Sequence, residues 1–273
     1  MKKFFKPLIL LLVSLSLIWG ILFAAFPLPG SPSVLMYHFF GSDKDAGQSK
    51  NFVSRKSFAR QMAWLKYGGY HVITLDEYNA IRTGKQKSRG REILLTFDDG
   101  NYSFETDAYP VLKKYDFPGV IFLVSESVKH KSNGSMDTET VKRILSGSKV
   151  EVGSHSQTHP FLSQMSEEQI RRELVDSRKD LEGLFGVPVL DFAYPYGDYN
   201  ERVMKIAEEA GYRTAFTTSY KKLRSAAPSS FALTRTKITR SANFLPVFWV
   251  ELSGIYDSYK AFRHRLKDRR NAA

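Results

Sequence analysis

The sequence predicts an α/β fold, a distorted or partial (β/α) barrel of about seven strands. Short apolar runs rich in β-formers alternate with longer stretches of helical period, which is typical of βα units. The apolar runs lack an alternating polar face, as expected of parallel strands buried on both sides. The predicted strands are 34–37, 93–97, 120–124, 150–153, 190–193, 214–217 and 231–238.

The stretches between these strands carry helix-end signals. A helix over 57–67 is predicted to end at Gly68-Gly69, and the capping-box pattern at 166–169 is predicted to begin a helix that ends near Gly186. A third helix is expected from about Asn200 to Gly211. Shorter helices are predicted at 76–82, 106–115 and 139–145. Six or seven βα units indicate a barrel or part of one.

Composition points to one large folded domain. The chain has 273 residues, of which 42% are hydrophobic and 25% charged, enough to bury a good-sized core. We expect a membrane segment and joint at 1–30, the domain at 31–245 and an amphipathic basic helix at 246–273. Cysteine is absent, which excludes disulfides, thiolate metal sites and a cysteine nucleophile, and leaves His, Asp and Glu as metal ligands.

The N-terminus predicts a membrane-targeting segment. Three lysines within the first six residues precede a nearly unbroken apolar run over 8–26, close to the ~20 residues that cross a bilayer. The lysines are expected to stay in the cytoplasm, so the rest of the chain is exported. We favour an uncleaved single-pass anchor, because Ala24 and Ala25 are followed by Pro27 and Pro29 without a small-x-small cleavage site. If the segment is cleaved, the protein is secreted.

The net charge of +12 and pI near 9.6 suggest an anionic neighbour. Basic residues concentrate in the last fourteen positions, and a solvated basic helix end would also explain them. For an exported protein we expect acidic phospholipids or anionic wall polymers rather than nucleic acid. Protein partners are not predicted.

The sharpest motif is Thr-Phe-Asp-Asp-Gly at 96–100, directly after a predicted strand. Adjacent carboxylates resist ionising together unless a cation or hydrogen bonds relieve them, so Asp98 and Asp99 indicate a metal, a raised pKa or exposure to solvent. An ordinary Asp-Asp-Gly surface turn is an equally good explanation of the motif taken alone.

A second motif, His-Ser-Gln-Thr-His at 155–159, follows the strand at 150–153. If a helix begins there, residues four apart share one face and the imidazoles of His155 and His159 can converge on one ion. Two of only six histidines at this spacing favour metal binding over accident.

Two weaker signals follow other strands. The run Tyr194-Pro195-Tyr196 lies in a turn that could present backbone N–H groups to an oxyanion, although it also reads as an ordinary turn before a helix cap. His38 lies among apolar residues, where a histidine is more often structural. All four features fall at the C-terminal ends of different predicted strands, which share one mouth in a parallel barrel.

These motifs resemble those of the polysaccharide deacetylases, carbohydrate esterase family four or the NodB-homology family. The first two motifs, in this order, are highly specific for that family, and the similarity spans about 34–238. The resemblance implies that Asp98 is the catalytic base and that Asp99, His155 and His159 bind a divalent metal. Zinc is the default for this ligand set, and cobalt, nickel or iron would also fit it.

The sequence departs from the family in two places. Many relatives have Arg-x-Pro-Tyr where this chain has Ala193-Tyr194-Pro195-Tyr196, so the arginine that orients the base is missing; we hypothesise that Arg235 replaces it. No Leu-x-His follows near the C-terminus. Met-Tyr-His at 36–38 instead resembles the exported biofilm poly-N-acetylglucosamine deacetylases, in which this histidine, here His38, is the general acid.

The resemblance implies removal of N-acetyl groups from N-acetylglucosamine units of an extracellular or cell-wall polysaccharide, with the backbone N–H of Tyr196 at the oxyanion. One alternative is a catalytically inactive glycan-binding protein of the same fold. Another is a metal-dependent phosphodiesterase, but no Lys or Arg occurs at 93–105 or 151–168 to bind a phosphate. The sequence does not specify the polymer.

Overall fold

The computed structural model describes residues 32–42, 49–132, 134–218 and 229–252. Its strands, in chain order, are β1 (Ser33–Tyr37), β2 (Phe39–Gly41), β3 (Phe52–Ser54), β4 (His71–Val72), β5 (Glu92–Asp98), β6 (Gly119–Leu123), β7 (Val150–Ser154), β8 (Asp191–Ala193), β9 (Thr214–Thr217), β10 (Leu233–Thr234) and β11 (Thr236–Lys237). Except for β2 and β3, which form a separate pair, all belong to one parallel sheet.

The main sheet forms a nearly closed barrel. Its strands follow the order β10-β9-β8-β7-β6-β5-β1-β11, and β4 adds to β5. Strands β10 and β11 are separated only by Arg235, so one short segment pairs with β9 on one side and with β1 on the other. The prediction of about seven strands was therefore low: the path contains eight, because the predicted strand at 231–238 is interrupted at Arg235.

The helices are α1 (Arg55–Tyr67), α2 (Leu75–Arg82), α3 (Tyr109–Tyr115), α4 (Ser125–His130), α5 (Thr138–Ser146), α6 (Glu167–Phe185), α7 (Glu201–Glu209) and α8 (Leu245–Leu252). The predicted capping box of α6 is present: the side chains of Ser166 and Gln169 each accept a hydrogen bond from the backbone N–H of the other. Gly186 ends the helix in the left-handed conformation. The predicted helix at 106–115 is instead a π-helical turn, Phe104–Ala108, followed by α3. Helix α4 was not predicted.

The buried apolar side chains form two clusters. The larger packs the outer face of the sheet against the surrounding helices, and α8 joins it through Phe248 and Leu252. The smaller lies inside the barrel, where Leu94, Val120 and Phe122 meet Leu75 and Tyr78 of α2. Helix α2 therefore closes the end of the barrel at which the strands begin, which leaves the other end open as a mouth.

The predicted membrane segment at 1–30 and most of the predicted C-terminal helix at 246–273 lie outside the described residues. Within the part of the chain that the structure describes, no helix is long and apolar enough to span a membrane.

Candidate active site

The mouth of the barrel contains a cavity of about 250 Å³. It is lined by every predicted site residue except Pro195: His38, Asp98, Asp99, His155, His159, Tyr194, Tyr196 and Arg235. Parallel strands bring their C-terminal ends to one rim, so residues far apart in sequence meet here. The predicted convergence of the motifs is thus observed.

The Asp-Asp-Gly turn directs its two carboxylates to different places. Strand β5 ends at buried Asp98, and Asp99 and Gly100 then both adopt positive φ, 71° and 65°. Glycine suits the positive φ at position 100, and a Cβ there would lie 2.6 Å from a methyl carbon of Leu123, which would have to move. The turn separates the neighbours, so that Asp99 is partly exposed in the mouth while Asp98 stays buried.

Asp98 is held by Arg235. The guanidinium donates from Nη1 to Oδ1 at 2.7 Å and from Nη2 to Oδ2 at 2.6 Å, and it also contacts Thr96 Oγ1 at 3.2 Å. Burial opposes ionisation of Asp98, but attraction to Arg235, and then to His155 and His38, outweighs it and lowers the pKa of Asp98 to about 2. The base is therefore ionised at neutral pH.

Asp99, His155 and His159 form a candidate metal centre. Asp99 Oδ1 lies 3.5 Å from Nε2 of each histidine, and the three potential ligand atoms are all within 4.8 Å of one another. His155 Nδ1 lies 2.7 Å from the Ala193 carbonyl oxygen, which can only accept, so the proton is on Nδ1 and Nε2 keeps a lone pair. One carboxylate and two imidazoles arranged in this way fit a divalent metal ion.

The pKa values of the two histidines suit metal binding. Burial lowers the pKa of both His155 and His159, which keeps the imidazoles neutral and available as donors. Burial, together with the negative charge of Asp98, raises the pKa of Asp99 against the attraction of His155. Two adjacent acids with pKa values pushed in opposite directions are typical of a functional site.

The two histidines converge from a loop and not from the helix considered for 155–159. Ser156 and His159 adopt positive φ, 68° and 64°, and the chain bends sharply instead of coiling. Buried Glu173 of α6 stabilises this loop by accepting hydrogen bonds from Gln157 N and Thr158 N, both 2.9 Å, and from Thr158 Oγ1 at 2.6 Å. Sequence reasoning missed Glu173, although a carboxylate in the apolar stripe of α6 was a visible signal.

His38 follows β1 and faces the cavity. Its Nδ1 is buried without a hydrogen-bond partner among the described residues. Burial is the main cause that lowers the pKa of His38 to about 4; Asp98 opposes the shift, while Lys237 and Arg235 add to it. The imidazole is therefore neutral at neutral pH.

The Tyr-Pro-Tyr turn forms one wall of the mouth. Tyr196 has a positive φ of 58° and is 59% exposed; its ring lies 4.5 Å from the His159 ring and stacks on Phe161 at 4.1 Å. Tyr194 is buried and donates its hydroxyl to the Phe231 carbonyl at 3.0 Å. Pro195 is buried and shapes the turn without lining the cavity.

The fold and the site define an α/β barrel with a carboxylate–imidazole metal centre beside a buried, arginine-paired aspartate. A family model described as polysaccharide deacetylase matches residues 85–215. Those residues form a polysaccharide deacetylase domain, and the resemblance inferred from the motifs is confirmed. His38 and Arg235 lie outside the matched residues.

Similar proteins agree with this assignment. YxkH of Bacillus subtilis, whose name places it among the polysaccharide deacetylases, is 34% identical over 70% of this chain and 65% of its own length. The poly-beta-1,6-N-acetyl-D-glucosamine N-deacetylase of Staphylococcus aureus is 29% identical over 67% of this chain and 66% of its own. The chain thus spans just under two thirds of each relative.

Solved structures share the fold over most of the described chain. The deacetylase PplD of Streptococcus pyogenes, in complex with acetate, superposes with a TM-score of 0.71 at 25% identity, covering 81% of this chain and 98% of that one. IcaB of Ammonifex degensii superposes with a TM-score of 0.70 at 26% identity, covering 82% of this chain and 98% of that one.

Proposed function

We propose that this protein is a metal-dependent hydrolase that removes N-acetyl groups from N-acetylglucosamine units of an extracellular or cell-wall polysaccharide. The observation that carries the proposal is the buried Asp98–Arg235 pair next to the Asp99–His155–His159 triad in one cavity. A base that is held ionised beside a metal centre suits metal-assisted hydrolysis of an amide.

Asp99, His155 and His159 would hold the metal ion. When bound, a divalent metal supplies Lewis acidity, which acidifies water and polarises an amide carbonyl. Zinc is the first choice for this donor set, with cobalt, nickel or iron as alternatives.

The chain's own groups account for the proton transfers. Asp98, kept anionic by Arg235, accepts a proton from the attacking water as the new C–O bond forms. The backbone N–H of Tyr196 donates to the oxygen on which negative charge develops. The C–N bond then breaks, His38 protonates the departing nitrogen, and the products are acetate and a free amine on the sugar.

His38 needs a proton before it can protonate the leaving nitrogen. His38 starts neutral because its pKa is about 4, so it must be charged during turnover. The proton that Asp98 takes from the attacking water passes to His38, which lines the same cavity, and then to the leaving amine.

The named activity of the Staphylococcus aureus relative supports an N-acetylglucosamine polymer as the substrate. The apolar run at 8–26 and its lysine-rich start support a single-pass membrane protein with the barrel outside the cytoplasm, or a secreted protein if the run is removed.

Acetate release from a panel of acetylated polymers, with and without added divalent metal, tests the proposal. We expect metal-dependent release, reduced about 10²-fold or more by Asp98→Asn, the usual contribution of a general base. The control is Asp116→Asn, which changes an exposed carboxylate just after the C-terminal end of α3 and should retain activity. An inactive but glycan-binding wild-type protein would instead support the glycan-binding alternative.

A further inference from the structure

The end of the barrel opposite the mouth, here called the basal face, is unusually basic on one side. Six exposed cations lie in the last turn of α1, in the loop before β5 and in the last turn of α3. They are Lys66, Lys85, Lys87, Arg89, Lys113 and Lys114. None of the six forms an ion pair within the described part of the chain. On the other side of the basal face the charges are compensated, since Arg213 pairs with Asp76 and Asp191.

Contacts between the segments join these cations into one surface. Arg91, just before β5, donates to the Gly68 carbonyl after α1 at 3.1 Å. Lys66 Nζ lies 5.9 Å from the Phe117 ring, and the rings of Tyr67 and Tyr115 meet edge to face at 6.5 Å. The surface therefore extends from the end of α1 across the starts of β5 and β6.

Exposed tyrosine accompanies the charge. Tyr67 is 81% exposed, and Lys114 lies 5.3 Å from the ring of its neighbour Tyr115. Tyrosine and lysine side by side match the interfacial layer of a bilayer, where the ring fits the headgroup level and the ammonium meets lipid phosphate.

The path of the chain brings the same face to the membrane. Ser33 begins β1 in register with Ile93, near the start of β5, so the described chain begins beside this basic surface. Only residues 27–31, five in number, separate that point from the apolar run at 8–26. Five extended residues reach at most ~17 Å. A run held in the bilayer would thus keep the basal face within reach of the headgroups.

We propose that the basal face docks on the anionic phospholipid surface of the membrane, with the mouth of the barrel directed away from the bilayer. The inference rests on retention of the N-terminal run and is independent of the catalytic assignment. It gives part of the surplus positive charge a specific partner, the lipid phosphate, which lies within a Debye length of about 8–10 Å of a docked lysine.

The absence of cysteine makes the orientation measurable. Single substitutions Lys87→Cys on the basal face and Gln164→Cys at the exposed turn before α6, in the full chain, each accept one fluorophore. The proteins are reconstituted into vesicles of phosphatidylcholine with or without phosphatidylglycerol, which carry a quencher on the lipid headgroup. Far-UV circular dichroism of each variant checks that it is folded, independently of any activity.

We expect the label at position 87 to be quenched several-fold more than the label at 164 in anionic vesicles, with the difference shrinking in neutral vesicles and at high salt. Adding Lys113→Glu and Lys114→Glu should reduce quenching at 87. The matched control, Lys142→Glu with Lys205→Glu on the exposed sides of α5 and α7, should not. Equal quenching at both positions, or equal quenching at 87 in neutral and anionic vesicles, would overturn the proposal. So would loss of quenching at 87 on addition of an anionic wall polymer at constant salt.

Discussion

Arg235 donates two hydrogen bonds to Asp98 across 137 positions of sequence, from the single residue that interrupts the strand closing the barrel. Closure of the sheet and orientation of the base therefore depend on the same short segment. The family resemblance implied an arginine where this chain has Ala193, and Arg235 reaches the base from between β10 and β11 instead.

Replacing Arg235 with alanine should lower kcat between about 10- and 100-fold, a part of the full contribution of a general base. Without the guanidinium the pKa of Asp98 rises, so the acid limb of the pH–rate profile should move to higher pH. Arg235→Lys keeps the positive charge but loses the two paired hydrogen bonds. Its kcat should fall between those of the wild type and Arg235→Ala. Arg171→Ala, an exposed arginine of α6, is the control. An unchanged profile in Arg235→Ala would show that another group keeps Asp98 ionised.

Glu173 should set the affinity of the metal centre although it is not a ligand. Glu173→Gln replaces one acceptor oxygen with a donor, and the loop carrying His155 and His159 loses a hydrogen bond. We expect metal affinity to fall about 10-fold or more, as is usual when a supporting partner is lost. Competition with a chelator of known affinity measures this. Glu168→Gln, exposed on the same helix, should bind metal as the wild type does.

Gly100 should tolerate no side chain. Gly100→Ala forces alanine into positive φ and places its methyl against Leu123, so the free energy of unfolding should fall by about 2 kcal/mol or more. Gly183→Ala is a useful contrast, because it lies in α6 with open space around it and should be neutral or stabilising by up to about 1 kcal/mol. Urea unfolding of both variants compares them. Equal free energies of unfolding for Gly100→Ala and Gly183→Ala would mean that the turn at Gly100 adapts to a side chain without cost.

His38 should make the metal-free protein sensitive to mild acid. Its pKa is 6.5 in the unfolded chain and about 4 in the folded one, so the unfolded chain takes up the proton first. The contribution to stability is complete above pH 6.5 and is lost as the pH falls toward 4. His38→Gln should flatten this dependence by on the order of 2 kcal/mol, measured by chemical unfolding at pH 7 and pH 4.5. The same slope in both proteins would contradict an imidazole that stays neutral in the folded chain.

The sequence predicted the barrel and the convergence of its motifs because each βα unit carries its own local signals. The capping box of α6 and the apolar strand before Asp98 are examples. It did not predict the bent loop at 155–159, since that conformation depends on Glu173 from a later helix. The interruption at Arg235 was also missed, because pairing with β9 and β1 is a property of the closed sheet and leaves no local pattern.

The most direct test of the account is a titration of the purified chain with a divalent metal, followed together with acetate release. We predict one tightly bound ion per chain and activity that rises in proportion to its occupancy, with both lost in His155→Ala. Full acetate release from a chain freed of metal, or unchanged stoichiometry in His155→Ala, would show that Asp99, His155 and His159 do not hold the catalytic ion.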